Sequence, residues 1–165
     1  MEKSESGKAE ILVMGVGNLL LGDEGVGIHA IEYMKEKTFP VKVDMLDGGT
    51  GGFHLLALVN DYKKMILIDA ADDGHSPGTV RIIKPKFSSD FPRALTTHDI
   101  GLKDLIETAS ALEKLPEIYL VVISIDTNQP VRMTLSEQIE KSLPNVYHAV
   151  VSSVYKFMKQ KVESN

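Results

Sequence analysis

Five side chains able to hold a metal or move a proton stand at spaced intervals along the chain. Asp23 and Glu24 are adjacent within Gly15–Gly27 (GVGNLLLGDEGVG). Asp47 precedes Gly48-Gly49-Thr50, Asp69 follows Ile66-Leu67-Ile68 directly, and His98 lies in Thr96-Thr97-His98-Asp99. Glu24, Asp69 and His98 together offer two carboxylates and an imidazole, a donor set accepted by borderline divalent ions such as Zn²⁺ and Ni²⁺. Nothing here has the compact HExxH spacing, so each residue also has a structural reading. Glu24 suits the first turn of a helix, where the helix dipole favours negative charge. Asp47 suits a turn ahead of two glycines, and His98 suits a hydrogen bond at a helix start. Asp69 is harder to account for structurally, because a carboxylate against a buried strand is costly without a partner. His29, His54, His75 and His148 read as packing or surface residues.

These residues gain meaning from the elements that must carry them. Glu10–Val16 reads as a buried strand closed by glycine, followed by a helix with Gly27, Ala30, Ile31 and Met34 on one face. Val41–Leu46 reads as a second strand, ending at Asp47-Gly48-Gly49-Thr50-Gly51-Gly52. A helix over Phe53–Val59 follows, with Leu55, Leu56 and Val59 inward. Lys64–Ala70 is the clearest central strand, apolar on both faces as parallel strands are. After the turn Asp72–Gly78, Thr79–Ile83 alternates in character, and Arg81 and Lys84 give it the look of an edge strand. A helix beyond His98 carries Leu102, Leu105, Ile106 and Ala109. Ile118–Ile123 is a further strand and Ser124–Val131 a loop. Helical spacing then runs through Ile139, Leu143, Val146, Val150, Val154 and Phe157, divided or restarted near Pro144. The order β-α-β-α-β-β-α-β-α predicts an α/β three-layer α/β/α sandwich with a mostly parallel central sheet of about five strands. In such sheets ligands bind beyond the C-terminal strand ends. That is where Glu24, Asp47 and Asp69 would gather.

Composition narrows the field. The chain has 165 residues, 43% of them hydrophobic and 25% charged, with a net charge of −5. That suits one domain, spanning residues 9–160 between polar tails, and gives no electrostatic case for a nucleic-acid binder. With no cysteine, disulfides, thiolate metal sites and a cysteine nucleophile are excluded. No apolar run approaches the ~20 residues needed to span a bilayer, and the first residues have no secretory apolar region. A cytoplasmic location is the expectation. Dinucleotide binding fits poorly: Gly15-Val16-Gly17-Asn18-Leu19-Leu20 has leucine where the third glycine of the fingerprint belongs, and Asp23-Glu24 would repel a phosphate. No Gly-Lys-Ser/Thr triplet of a phosphate-binding loop is present.

Gly15-x-Gly17-Asn18-x-Leu20-x-Gly22-Asp23-Glu24-Gly25-x-Gly27, then Asp47-Gly48-Gly49-Thr50-x-Gly52, Asp69-Ala70 and His98, together resemble the nickel–iron hydrogenase maturation endopeptidases. The resemblance runs from about Ile11 to the last helix. It implies a phosphorylase/hydrolase-like fold and one cleavage, the removal of a C-terminal extension from the precursor of a [NiFe] hydrogenase large subunit once nickel is in place. It implies that Glu24, Asp69 and His98 are the metal-binding positions. The nickel would be contributed by the substrate, with zinc or cadmium able to stand in. It ties Asp47 to activity, as a general base or as the residue ordering the turn, in a family grouped as aspartic-type peptidases. The partner would be that precursor and the enzyme a monomer. Two segments depart from the family's pattern. Leu95–Asp99 lacks a serine often found nearby, and Ser124–Pro130 replaces a stretch commonly richer in glycine or aromatics. Both are read as bearing on substrate choice. A non-catalytic accessory that holds a metal or precursor is the alternative function.

Overall fold

The structure, a computed structural model, describes residues 7–51, 55–85, 107–108, 111–112 and 115–163. Its elements are β1 (Ile11–Gly15), a 3₁₀ turn (Gly22–Gly25), α1 (Val26–Met34), β2 (Val43–Asp47), α2 (Leu56–Asp61), β3 (Lys64–Ala71), β4 (Val80–Ile83), β5 (Glu117–Ser124), α3 (Glu137–Glu140) and α4 (Leu143–Glu163). The five strands form one sheet in the order β2-β1-β3-β5-β4. β2, β1, β3 and β5 run parallel, and β4 closes one edge antiparallel to β5.

The apolar runs explain why β1, β3 and β5 are central. Each is buried on both faces over nearly its whole length, and successive residues serve different layers. Val13, Ile66, Ile68, Val121 and Ile123 pack with Val26, Ile31, Met34, Val150, Val154 and Phe157 from the helices of one layer. Leu12, Met14, Met65, Leu67, Leu120 and Val122 pack with Leu55 and its neighbours on the other. This is the expected three-layer sandwich, with the same strands and edge.

The boundaries shift in ways that matter for the site. β2 starts at Val43, not Val41, because Val41 and Lys42 are exposed, and it ends at Asp47, which pairs with Gly15. β3 runs through Ala71 because β5 continues beside it, so Asp69 lies inside the strand opposite Val122 instead of ending it. Pro144 is the second residue of α4, where a missing N–H costs nothing. α4 continues to Glu163, past residue 160, where sequence reading closed the domain. Phe53 and the start of the helix expected there lie outside the described residues. So does most of the helix expected after His98, although Glu107 and Thr108 are helical.

The strand order reverses direction at β1: the chain passes to β2 on one side and to β3 on the other. In open parallel sheets this switch point leaves a crevice beyond the C-terminal strand ends. Gly15–Gly27 follows β1 and Asp69 lies near the C-terminal end of β3, the two strands that flank this point.

Candidate active site

The glycines of the first loop answer to close backbone packing. A Cβ on Gly27 would sit 2.3 Å from the Val16 carbonyl oxygen and 2.5 Å from that of Ile68, so α1 begins almost in contact with the ends of β1 and β3. A Cβ on Gly15 would lie 2.0 Å from the Gly27 oxygen, and one on Gly17 would lie 2.3 Å from the Glu24 oxygen. Backbone therefore fills the space in which a phosphate cradle would have to open. The Val16 N–H donates to Ile68 O at 3.0 Å, carrying the ladder one residue past β1. The two glycine-rich turns also interlock: Gly48 N–H donates to Gly15 O and Gly17 N–H to Gly49 O, both at 2.8 Å.

Asp23 and Glu24 take separate roles inside the 3₁₀ turn. Asp23 is buried and accepts from the Ser136 N–H at 2.7 Å and the Ser136 hydroxyl at 2.8 Å. Its own N–H donates to Gln129 Oε1 at 2.8 Å. Asp23 therefore does not cap α1, whose N-cap, Gly25, makes no side-chain bond. It fastens the turn to Ser136, the N-cap of α3. Glu24 is half-buried, and its backbone is held on both sides, with its N–H on Leu21 O at 3.1 Å and its carbonyl accepting from Asn18 at 3.3 Å. The turn lies against β3, so Glu24 stands over the end of the strand that carries Asp69.

Asp69 is fully buried, and Oδ1 accepts from the Ala70 N–H at 2.8 Å. Its strand neighbours Leu67 and Ala71 face the layer of α2, so alternation sends Asp69 to that side. Asp47 belongs elsewhere. It is exposed, and Oδ1 accepts from Gly49 N–H at 2.8 Å, an Asx turn that orders Asp47-Gly48-Gly49, with Gly49 at φ +58°. It shares the α1-facing side of β2 with Val43 and Met45, which pack against that layer. β1 separates β2 from β3, which puts their axes about 10 Å apart. The structure thus sets the turn that bears Glu24 against β3, the strand that carries Asp69, and leaves Asp47 on β2, with β1 between the two strands and on the opposite face of the sheet. His98 lies outside the described residues. Among the described residues no three His, Asp or Glu side chains gather as a metal site, so Glu24 and Asp69 would need a third donor from beyond them. Their oxygens are chemically suited to a divalent transition ion completed by an imidazole.

One polar cluster escaped sequence reading. Asp73, in the turn after β3, accepts from Ser124 Oγ at 2.8 Å and lies 3.1 Å from His75 Nδ1, and it pairs with Arg81. Burial pushes this carboxyl up, but the bonds from Ser124, His75 and Arg81 outweigh burial and hold it below the ordinary range. Arg81 signalled only an edge strand in the sequence; its partner, eight residues earlier, makes it the pin of the β3–β4 connection. Ser136 had a signal, a serine just ahead of a helix, but its bond to Asp23 spans 113 positions.

The hydrogenase maturation protease model matches residues 28–153, which include Asp47, Asp69 and His98. The Hydrogenase 2 maturation protease of Escherichia coli is 31% identical over 87% of this chain and 92% of its own. The chain belongs to the hydrogenase maturation protease family. The HupD hydrogenase expression/formation protein of Rhizobium leguminosarum is 36% identical over 65% of the chain, but the matched part is 54% of that relative's length. The E. coli maturating endopeptidase HybD superposes with a TM-score of 0.79 at 28% identity, covering 90% of this chain and 93% of its own. Its fold is the one described above. The family match starts after Gly15–Gly27. Among the described residues no helix is long and apolar enough to cross a membrane.

Proposed function

We propose that this protein is an endopeptidase that removes the C-terminal extension of a [NiFe] hydrogenase large-subunit precursor after nickel insertion, and that it recognises the nickel bound to that substrate. One observation carries the reading beyond family membership: the 3₁₀ turn bearing Glu24 is packed against β3, which bears Asp69, at the switch point of the sheet. Glu24 and Asp69, with His98 as the third donor, would complete the coordination of an ion the precursor already holds. A precursor lacking the ion would bind less well by the free energy of that differential contact, which makes the site a check on loading. Zinc or cadmium would occupy the same donors in place of nickel. Water would attack the scissile carbonyl, and Asp47 would take its proton. The enzyme would act as a cytoplasmic monomer.

The test is the mass of nickel-loaded and unloaded precursor before and after incubation with rigorously chelated enzyme. Cleavage of the loaded form alone supports the check. Cleavage that appears only when metal is returned to the enzyme points to metal-assisted hydrolysis instead, and binding without any change in mass identifies a non-catalytic accessory. Asp47 can be tested separately, because asparagine retains the side-chain oxygen that accepts from Gly49 and loses only the base. Asp47→Asn should abolish cleavage and spare binding. Near-normal turnover in Asp47→Asn, with loss only in Asp47→Ala, would reduce Asp47 to a turn residue.

A further inference from the structure

Half of the large hydrophobic side chains exposed among the described residues fall in one place. Leu20 is 59% exposed, Val131 83% and Met133 60%; the others, Val41, Leu112 and Tyr155, lie apart in the sequence. Leu21 and Arg132 form a parallel bridge, with Arg132 N–H on Leu20 O at 3.0 Å and Gly22 N–H on Arg132 O at 2.8 Å. The bridge brings Leu20 alongside the segment that carries Val131 and Met133, while Leu21 between them is half-buried.

This pair of segments is held rigidly, at a cost in buried charge. Asp23 anchors one segment to Ser136, and Gln129 Oε1 accepts from the Asp23 N–H. Arg132 Nε donates to Thr134 O at 3.1 Å, bracing the second segment. The pair is also continuous with the candidate active site, because the Leu21 carbonyl accepts from Glu24 N–H. Leu20 and Glu24 belong to the same short loop, so a body whose metal reaches Glu24 lies beside Leu20. Isolated exposed hydrophobics are ordinary, but a contiguous and preorganised group at the rim of a site marks an interaction surface.

We propose that Leu20, Val131 and Met133 form a docking surface for an apolar patch on the folded substrate protein. The proposal rests on the function proposed above and names the surface that selects the partner. The side chains bind in the ground state and the transition state alike, so they act on KM and leave kcat alone.

The experiment compares steady-state cleavage of nickel-loaded precursor by the wild-type chain and by Val131→Ser/Met133→Ser, with Val41→Ser as a control on another exposed hydrophobic. Because the substituted side chains are exposed, thermal midpoints should match, and far-ultraviolet circular dichroism checks that they do. The double variant should raise KM about tenfold or more with kcat unchanged, and the control should match wild type. An unchanged KM in the double variant, or a fall confined to kcat, overturns the docking surface while leaving the protease reading intact. Failure of the wild-type chain to cut the precursor overturns the protease reading and the surface with it. Sedimentation equilibrium supplies the remaining arm: self-association of the wild type that the double variant abolishes would assign the patch to a second copy of this chain and overturn the proposal.

Discussion

Asp23 and Glu24 are neighbours of the same charge, yet the structure gives Asp23 a purely architectural role, and Asp23→Ala tests that division. The substitution removes two hydrogen bonds from a carboxylate, to the Ser136 N–H at 2.7 Å and the Ser136 hydroxyl at 2.8 Å, from a residue only 5% exposed. A hydrogen bond to a charged group contributes roughly 1.5–3 kcal/mol. Water entering the small void offsets part of the loss, so about 3 kcal/mol is the expected total. In a domain of this size each kcal/mol moves the midpoint by about 2–4 °C, giving a fall of about 6–12 °C. Asp23→Asn keeps one acceptor and lets the Ser136 hydroxyl turn to meet the amide, so it loses mainly the charge assistance. Its expected fall is about half as large. Thermal unfolding followed by circular dichroism reads both values. A shift under about 2 °C in Asp23→Ala, or a larger loss in Asp23→Asn than in Asp23→Ala, would refute the clamp.

Three further outcomes follow from buried polar groups and close glycines. Asp73→Asn should cost about 1–2 kcal/mol at neutral pH. Because Asp73 is held below its ordinary value of 3.8, its stabilisation is complete above that pH and is lost as pH falls through the lower folded-state value; urea midpoints of the two proteins should converge in acid. Tyr62 is raised to about 12, by burial first and then by its hydrogen bond to Asp44. Its contribution is therefore present below pH 10.0 and lost as pH rises through about 12, and Tyr62→Phe should remove the last phenolate absorbance step. Gly27→Ala should cost about 3 kcal/mol or more, since two backbone carbonyls block the new methyl. Gly49→Ala meets nothing within 4 Å and faces only its φ of +58°, so it should cost about 1–2 kcal/mol; equal losses in the two variants would undo the packing account of Gly27.

What could be read from the chain divides along the range of the forces involved. Ile66-Leu67-Ile68 announces a central parallel strand because burial on both faces is a local property of the residue run, and the strand order places the crevice where such sheets always place it. Asp69 was legible as an expensive carboxylate for the same reason. Its position inside β3 depended on how far β5 extends beside it, which no pattern in β3 records. The offset of Asp47 from Asp69 is of the same kind: it comes from β1 lying between β2 and β3, which no pattern within either strand records. Gly15–Gly27 shows the limit most clearly. A phosphate loop and a helix start jammed against two strand ends both require glycine, because each brings backbone closer than a Cβ allows. In the folded chain the Val16, Ile68 and Gly27 carbonyls occupy that space. The acidic pair argued against a phosphate in the sequence, and the structure divides it: Asp23 spends its charge on Ser136, and Glu24 is held from both sides by backbone bonds in a turn packed against β3.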